Sequence, residues 1–348
     1  MVNPIFNDIF DGNLNDNNTT TGTNLDDVIV GDNGNDLLRG LSGNDFLFGN
    51  NGNDSVYGEA GNDQIDGGEG HDLLGGGAGN DSISGGTGYD RVYEIGNLNY
   101  VLTDVQLTGN GTDLLQSIEA ASLTGGGSNN IIDATAFNGA TVLRGLNGDD
   151  LIRGGSREDR IDGGNDNDRL YGYDGDDLIR GEAGNDYLWG GEDYDLLEGG
   201  AGNDELIGGN GNDTLVGGLG NDTLSSSSIE DSDIFRFDAI ADRRDTILDF
   251  DAVDGAVPGD DRDIIQISNA GFNATGVGVT DLPNGTLSAD RFVSYGASLG
   301  SRAGFRYFEH NGELYFDSNG GGISGSELLV TLTNTPSFSS LSDRVQVV

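Results

Sequence analysis

The chain has 348 residues, of which 62 are glycine and only 34% are hydrophobic; 60 acidic residues face 16 basic ones, for a formal net charge of −44. Self-repulsion on this scale opposes compaction, and it argues against nucleic acid and anionic membranes as partners because both carry the same sign of charge. The absence of cysteine excludes a disulfide framework and any thiolate metal site. The composition therefore favours cations as ligands, because a chain this acidic and glycine-rich needs neutralisation to fold.

The first segment, residues 1–20, has neither the basic start nor the apolar run of a signal peptide. If the protein is exported, the export signal is expected elsewhere, and no segment is long and apolar enough to predict a membrane span. Four apolar residues of this segment are expected to fold back as a cap over outward apolar side chains such as Val28 and Phe46. These four residues are Ile5, Phe6, Ile9 and Phe10.

Residues 21–93 form the first domain with a repeat, whose period is nine residues. An aspartate recurs at every ninth position, an aliphatic residue follows it by two positions, and a glycine precedes it by five. The aspartates are Asp27, Asp36, Asp45, Asp54, Asp63, Asp72, Asp81 and Asp90. The aliphatic residues are Ile29, Leu38, Leu47, Val56, Ile65, Leu74, Ile83 and Val92.

Each nonapeptide predicts one tight turn and one short strand. Glycine supplies the positive-φ conformations that a tight turn needs, and the residues after the aspartate form a strand whose aliphatic side chain points inward. Two nonapeptides then complete one coil of a flattened parallel solenoid, with a thin apolar core between two sheets. Nine residues per half-coil are too few for a helix, so the expected fold class is all-β.

Stacking the coils places equivalent aspartates in two columns, one along each edge of the solenoid. Asp27 and Asp45 are expected to be neighbours in one column, and Asp36 and Asp54 in the other. Adjacent coils lie about 4.8 Å apart, where two unit charges repel by about 3–4 kcal/mol at an effective dielectric constant near 20. A divalent cation between successive turns would remove this repulsion, and carboxylate and carbonyl oxygens in irregular turns suit calcium better than magnesium.

Residues 94–144 interrupt the nine-residue spacing and are predicted to be an irregular β spacer. The stretch 93–107 alternates loosely as strands do, and residues 129–133 form a degenerate repeat in which Asn130 takes the place of aspartate. Leu143 lies nine residues before Ile152, so the solenoid is expected to resume by residue 141. The spacer is therefore expected to be an irregular coil or an outward loop, and not a separate domain.

Residues 145–228 form a second block with the same period. Its aspartates are Asp150, Asp159, Asp168, Asp177, Asp186, Asp195, Asp204, Asp213 and Asp222. Its aliphatic residues are Ile152, Ile161, Leu170, Ile179, Leu188, Leu197, Leu206, Leu215 and Leu224.

Three turns of the second block lack the glycine that usually lies two residues before the aspartate. They contain Arg157, Asp166 and Asp193 instead, and the first repeat of the chain likewise contains Leu25. A non-glycine residue there must accept an unfavourable conformation or reshape the turn. Because Arg157 also brings a positive charge, the sequence predicts a weakened or missing cation site beside it.

The last region, residues 229–348, no longer follows the nine-residue spacing. Three stretches, 233–237, 245–250 and 263–268, alternate polar and apolar residues as strands do. Residues 305–317 are predicted to form a hairpin with an Asn-Gly turn. The region is predicted to be a β-rich cap that covers the edge of the last coil and also contains the secretion signal.

Both blocks resemble the RTX nonapeptide array, Gly-Gly-x-Gly-x-Asp-x-U-x, in which U is a large aliphatic residue. The resemblance implies a calcium-stabilised parallel β-roll, in which each ion lies between turns one coil apart and is held by aspartate carboxylates and turn carbonyls. It gives this role to all 17 aspartates named above. One ion for each pair of stacked turns makes about 13 calcium ions, which would change the net charge from −44 to about −18. Calcium binding is then close to a condition of folding.

The C-terminal region resembles the segment after the roll in serralysin-type metalloproteases and related RTX proteins. Residues 343–348 are similar to the acidic-then-apolar tail of type I secretion substrates. The resemblance implies the type I secretion machinery as a partner and an extracellular location, either secreted or at the cell surface. An unfolded chain in a low-calcium cytosol and a folded one in a high-calcium exterior would fit a sequence that cannot condense without the ion.

No catalytic residue and no organic cofactor site is predicted. His71 and His310 are the only histidines, and neither a His-Glu-x-x-His zinc motif nor a phosphate-binding loop is present. The favoured function is therefore a calcium-binding extracellular structural or surface protein. Two alternatives stay open: an enzyme that modifies acidic polysaccharide, and a glycan-binding module or adhesin that uses the outward aromatic residues Tyr171, Tyr187 and Trp189.

Overall fold

The computed structural model consists of strands, turns and bends, with no helix among the residues it describes. These residues are 9–11, 17–227, 231–238, 244–250, 263–267, 285–286, 292–294, 304–308, 311, 313–317, 326–333 and 345–347. None of them forms a helix that is long and apolar enough to cross a membrane. The all-β fold class predicted from the repeat is confirmed. The chain divides into two compact units, Met1–Ile161 and Asp162–Val348.

The first unit contains two sheets, and successive nonapeptides contribute strands to them alternately. The strands of one sheet are β1 (Ile9–Asp11), β3 (Val28–Val30), β5 (Phe46–Asn51), β7 (Gln64–Gly70), β9 (Ser82–Gly88), β11 (Tyr100–Thr103), β12 (Gln106–Thr108), β13 (Thr112–Gln116), β15 (Ile131–Ala136) and β17 (Leu151–Arg153). The strands of the other sheet are β2 (Thr19–Thr21), β4 (Leu37–Ser42), β6 (Ser55–Ala60), β8 (Leu73–Ala78), β10 (Arg91–Ile95), β14 (Ala120–Thr124) and β16 (Ala140–Asn147). Within residues 28–95 every pairing is parallel; Leu47 pairs with Ile65, and Val56 with Leu74.

The core of the roll is a row of aliphatic side chains from each sheet. All 17 aliphatic residues predicted from the repeat are at most 2% exposed. In β6, Val56 is buried while its neighbours Ser55 and Tyr57 are partly exposed. This alternation follows from strand geometry. It confirms the parallel β-roll that the period of nine predicts.

Residues 94–144 contribute strands to both sheets of the first unit. In one sheet β14 pairs in parallel with β10 and with β16, so that Ala121 lies opposite Val92 and Leu123 opposite Leu143. In the other sheet β13 pairs in parallel with β9, and β11 pairs in parallel with β15, while β12 runs antiparallel between β11 and β13. The spacer therefore forms irregular coils that extend the same two sheets.

The second unit is built in the same way. The strands of one sheet are β19 (Arg169–Asp174), β21 (Tyr187–Glu192), β23 (Glu205–Asn210), β25 (Thr223–Ser225), β27 (Asp245–Ile247), β30 (Phe292–Ser294), β31 (Gly304–Phe308), β32 (Glu313–Asp317) and β33 (Ser326–Leu332). The strands of the other sheet are β18 (Arg160–Asn165), β20 (Leu178–Ala183), β22 (Leu196–Ala201), β24 (Thr214–Leu219), β26 (Ile234–Phe237), β28 (Ile264–Ile267), β29 (Gly285–Thr286) and β34 (Val345–Val347). Leu188 pairs with Leu206, and Leu197 with Leu215, again one coil apart.

The parallel pairing of the second unit continues after residue 228. In one sheet β26 pairs with β24 and β28, and β28 pairs with β34; in the other, β27 pairs with β25 and β33. Antiparallel pairing of β31 with β32 places Tyr307 opposite Leu314, as the predicted hairpin requires. The region predicted as a cap thus adds coils to the roll as well as the hairpin. His310, Gly312 and residues 343–344 lie outside the described residues.

The N-terminal segment adds a strand beside the first strand of the roll. β1 pairs in parallel with β3, and Ile9 lies opposite Val28. A strand in this position protects an edge that would otherwise offer unpaired backbone groups to another chain. The prediction that the segment covers the outer face of the sheet stays a prediction, because Ile5 and Phe6 lie outside the described residues.

Candidate calcium sites

The aspartates of the repeat form hydrogen-bonded columns along the edges of the roll. All 17 are at most 4% exposed. The Asp45 N–H donates to Asp63 Oδ1 at 2.8 Å, and Asp45 Oδ1 accepts the Asp27 N–H at the same distance. The columns of the first unit are Asp27-Asp45-Asp63-Asp81 and Asp36-Asp54-Asp72-Asp90. Those of the second unit are Asp168-Asp186-Asp204-Asp222 and Asp177-Asp195-Asp213.

The two other predicted ligands, Asp150 and Asp159, meet residues of the spacer. Asp150 Oδ1 accepts the Asn130 N–H at 2.6 Å, and Asp159 Oδ1 accepts the Thr141 N–H at 2.7 Å. Asn130 and Thr141 thus occupy column positions without supplying a carboxylate. The structure thus places Asn130 at an aspartate position of a column, as the degenerate repeat predicts.

The second carboxylate oxygen of most column aspartates is buried and has no hydrogen-bond partner. A buried acceptor without a partner costs about 1–3 kcal/mol, and more if it is charged. Such oxygens therefore suit a positively charged ligand. They are Oδ2 of Asp36, Asp45, Asp54, Asp63, Asp72, Asp81, Asp90, Asp186, Asp195, Asp204 and Asp213.

Each of these oxygens lies beside the glycine five residues before its aspartate. A Cβ atom built on Gly199 would lie 2.6 Å from Asp204 Oδ2 and 2.6 Å from the Gly217 carbonyl oxygen. No side chain fits at such distances, so glycine is required there. A carboxylate oxygen of one coil and a carbonyl oxygen of the next thus lie close together beside Gly199, and calcium takes oxygens of both kinds as ligands.

Burial raises the pKa of several column carboxyl groups above the usual value for aspartate. Burial is the main cause that raises the pKa of Asp63 to about 7, of Asp204 to about 7 and of Asp195 to about 8. The N–H of the preceding coil lowers each pKa, and the charges of column neighbours raise it again. Near neutral pH, an empty column therefore favours protonated carboxyl groups.

The donor atoms of the columns fit calcium, with Asp Oδ2 and turn carbonyls as the atoms that would hold it. Within the described residues, no three acidic or histidine side chains approach closely enough to bind a metal ion by themselves. The carbonyl oxygens, such as that of Gly217, are thus needed to complete a shell of 6–8 oxygens. When bound, calcium supplies positive charge between stacked coils and takes no part in bond breaking.

The turn that contains Arg157 differs from the regular turns. Asp159 Oδ2 accepts the Gly155 N–H at 2.6 Å, so the carboxylate closes its own turn. Arg157 lies outside the positive-φ region that glycine occupies at the same place in regular turns. This hydrogen bond supports the prediction of a weakened or missing site beside Arg157.

The first turn closes in the same way, whereas the irregular turn that contains Asp193 stays open, because Asp195 Oδ2 has no hydrogen-bond partner. With Leu25 two residues before it, Asp27 Oδ2 accepts the Thr23 N–H at 2.6 Å. Asp166 and Asp193, by contrast, accept positive φ angles of 77° and 75° in the place of glycine. Aspartate tolerates this conformation better than most residues do. The turn at Asp193 therefore stays open without glycine two residues before its column aspartate.

Five acidic residues that the repeat does not predict also join the columns. They are Asp113, Glu119, Asp233, Asp245 and Asp263. In the first unit, Asp113 Oδ1 accepts the Asp81 N–H at 3.0 Å. Each of the four aspartates precedes a buried apolar residue by two positions, as in the repeat. The Asp-x-apolar signal was present in the sequence, but the spacing of nine was not.

A second, exposed ladder lies beside the columns, at the residue before each aspartate. Asn44 Oδ1 accepts the Asn62 N–H at 2.9 Å. His71 takes part in such a ladder: its N–H donates to Asn53 Oδ1 at 2.9 Å, and its Nδ1 accepts the Tyr89 N–H at 2.8 Å. His71 therefore has a structural role between neighbouring coils.

Comparison with known proteins identifies the repeat. Residues 21–92 and 135–224 match the family model for the RTX calcium-binding nonapeptide repeat (4 copies). The matched segments are 21–56, 40–74, 57–92, 135–170, 144–177, 162–197 and 189–224. The resemblance of the two blocks to RTX repeats is confirmed, whereas the resemblance of the C-terminal region to that of serralysin-type proteins stays a prediction. No curated protein matches the chain.

Two solved structures are similar over parts of their length. A subunit of the mannuronan C5-epimerase from Azotobacter vinelandii is 24% identical, over 55% of this chain and 78% of that chain, with a TM-score of 0.21. The extracellular lipase LipA from Serratia marcescens is 16% identical, over 95% of this chain and 40% of that chain, with a TM-score of 0.25. The chain thus spans less than half the length of the lipase. Neither likeness is strong enough to assign an activity.

Replacing Gly199 by alanine is expected to remove one calcium site. The new Cβ would occupy the space between Asp204 Oδ2 and the Gly217 carbonyl oxygen. We expect the Gly199→Ala variant to bind one calcium ion fewer per chain, counted by native mass spectrometry. Gly127→Ala is the matched control, because a Cβ on Gly127 meets no atom within 4 Å. An unchanged count for Gly199→Ala would contradict the assignment of this site.

Calcium affinity is expected to fall on acidification. The pKa of Asp63 and Asp204 in the folded, metal-free chain is about 7, against an ordinary value of 3.8, so the fold holds protons that the unfolded chain releases. The metal-free fold should therefore lose stability as the pH rises from 4 to 7, while calcium must displace those protons. Affinity should fall up to about tenfold per pH unit for each proton displaced. Calcium titrations at pH 5, 6, 7 and 8 would measure this; equal affinity throughout would contradict it.

Proposed function

We propose that this chain, whose two blocks are RTX calcium-binding nonapeptide repeats, is an extracellular structural or surface-associated protein that folds when it binds calcium outside the cell. The observation that carries the proposal is the set of buried Asp Oδ2 atoms without a hydrogen-bond partner. A carboxylate cannot be buried in this way without proton or cation. Outside the cell, calcium is the cation that satisfies it.

The 17 aspartates of the two blocks are the proposed ligands. One ion between each pair of stacked turns makes about 13 calcium ions, which would leave a net charge of about −18. At the closed turns, Oδ2 of Asp27 and Oδ2 of Asp159 each already accept a backbone N–H of their own turn. Each closed turn would therefore lower the number of ions in the blocks.

Secretion by a type I machinery agrees with this coupling between metal and fold. Without calcium, the carboxylates within each column repel one another. The chain would therefore stay unfolded in a low-calcium cytosol and pass through the machinery in that state. The tail 343–348 is the proposed secretion signal, by its similarity to that of other substrates. The proposed location is the cell exterior or the cell surface, and nucleic acid is not a proposed partner because of the charge of −44.

We propose no catalytic activity for the described part of the chain. Its column aspartates are engaged with backbone N–H groups, and His71 is engaged with Asn53 and Tyr89. Residues 296–300, Gly-Ala-Ser-Leu-Gly, match the Gly-x-Ser-x-Gly pattern of hydrolases but lie outside the described residues. An enzyme that modifies acidic polysaccharide stays the alternative, and a change in the viscosity or unsaturation of such a glycan would reveal it.

An aromatic cluster on the second unit favours a second candidate function, the binding of a glycan. Tyr171, Tyr173, Tyr187 and Trp189 lie on the outer face of β19 and β21 and are half-buried. The ring centroids of Tyr171 and Tyr187 are 5.6 Å apart, and those of Tyr173 and Trp189 are 5.3 Å apart. Aromatic rings with polar tips, held on rigid strands, suit the apolar faces and the hydroxyl groups of sugar rings. Tyr173 joins a cluster that the sequence predicted with three members.

Calcium-dependent folding is expected to be visible by circular dichroism. The full chain in excess chelator should lack most of its β-signal, since buried carboxylates repel, and should gain it cooperatively on addition of calcium. Magnesium at the same concentration is the control, and it should be far less effective because it requires rigid octahedral geometry. A full β-spectrum in chelator that calcium does not change would overturn the proposed function.

Glycan binding is expected to depend on Trp189. If the cluster binds sugar rings, a Trp189→Ala variant in calcium should lose at least about fivefold in affinity on a glycan array, because stacking on one aromatic ring contributes about 1 kcal/mol or more. Tyr57→Ala is the control, since Tyr57 is also an outward aromatic residue, which packs edge-on against Tyr93 at 6.3 Å. Equal binding by both variants would exclude the cluster as the binding site.

A further inference from the structure

The aspartate columns of the second unit do not end where the nonapeptides end. The Asp213 N–H donates to Asp233 Oδ1 at 2.7 Å, across a sequence separation of 20 residues. The Asp222 N–H donates to Asp245 Oδ1 at 2.9 Å, across 23 residues. The Asp233 N–H donates to Asp263 Oδ1 at 3.1 Å, across 30 residues. The column geometry therefore continues although the spacing of 18 residues, and the match to the repeat family, have ended.

Asp233 is the clearest of these additional residues. It is 0% exposed, and its Oδ2 is buried without a hydrogen-bond partner, like those of the regular columns. Its phenylalanine neighbour two residues later, Phe235, is also 0% exposed, so the Asp-x-apolar unit is intact. The carboxylate is thus held in the same position as in a repeat, and its free oxygen needs a positive ligand.

Other negative charges act on the Asp233 carboxyl group. The charges that act on Asp233 are those of Asp263, Asp213 and Asp231, and all three disfavour its ionised form. Asp231 is held against the neighbouring turn, because its Oδ2 accepts the Gly211 N–H at 2.8 Å. Asp213, in that turn, also has an Oδ2 without a hydrogen-bond partner. Buried carboxylates assembled in this way repel one another unless a cation lies among them.

We propose that Asp233 and Asp213, with backbone carbonyl oxygens as further ligands, bind a calcium ion where the nonapeptide array ends. The site is not a nonapeptide site, because Ser228 stands where the repeat has glycine, five residues before the aspartate. Carboxylate and carbonyl oxygens suit a hard divalent cation that accepts irregular oxygen shells, and the nearby charge of Asp231 adds to the attraction. The inference rests on the proposed function, since it assumes that the regular columns take calcium.

Filling this site would attach the first coil after the repeats to the roll. β26 pairs with β24 through only two residue pairs, Ile234 with Thr214 and Phe235 with Leu215. The ion would add a charged contact between turn 208–213 and the segment that ends at Asp233. Residues 231–237 would then fold and unfold together with the second block.

The test uses the full chain and its Asp233→Asn variant. Asparagine keeps the Oδ1 acceptor for the Asp213 N–H and removes the charge. Native mass spectrometry in calcium should count one ion fewer than in the wild type, and hydrogen exchange of residues 234–237 should become at least about tenfold faster. Exchange of the strands between residues 178 and 201 should not change. Asp238→Asn is the control, because Asp238 lies in the same segment, is half-exposed and pairs with Arg236.

The calcium counts of the wild type and of Asp233→Asn decide whether Asp233 binds an ion. An equal calcium count in wild type and Asp233→Asn would overturn the inference, and would show that a proton, not an ion, neutralises Asp233. Binding of no calcium by the wild type would instead overturn the proposed function. If Asp233→Asn does not fold, Asp231→Asn replaces it, since Asp231 is less buried; it should lose one ion at lowered free calcium, and retention of every ion would again overturn the inference.

Discussion

Each aspartate column brings carboxylates of like charge together through one repeated hydrogen bond, from the N–H of one aspartate to Oδ1 of the next. At 2.8 Å between Asp45 and Asp63, this bond fixes the register of neighbouring coils. It also leaves the second oxygen of each carboxylate buried and available. The columns therefore hold the coils in place and make them dependent on a cation, and both consequences come from the two oxygens of one side chain.

The other features of the roll follow from this constraint. Glycine is needed beside each free oxygen, because a Cβ on Gly199 would take the space next to Asp204 Oδ2. Where the turn is reshaped, as at Arg157, the carboxylate satisfies itself with a backbone N–H and the free oxygen is lost. The thin core adds one aliphatic side chain per nonapeptide, which is too little to offset a column of repelling charges. The geometry of the columns thus couples calcium binding to folding.

Much of the fold and of the candidate calcium sites could be predicted from the sequence, because the residues that determine each turn and strand lie close together in the chain. Asp45, Leu47 and the turn that precedes them lie within nine residues, so one period determines turn, strand and column position. The irregular coils were not predictable in the same way. Asp113 and Asp233 reach their columns across separations of 32 and 20 residues, and loops of those lengths have no sequence rule that sets their return. The pattern showed the aspartates and their apolar neighbours, but it did not show which coil each one would join.

The sequence by itself determined the fold class, the two edges of the roll, the aliphatic core and the 17 candidate ligands, because these repeat with a fixed period. Only the tertiary structure decided in which carboxylates the turn itself engages Oδ2. Asp27 and Asp159 belong to the same motif as Asp204, yet they accept an N–H from their own turn. That difference depends on the backbone conformation at Leu25 and Arg157 and on what the next coil presents, and such contacts exist only after the coils have stacked.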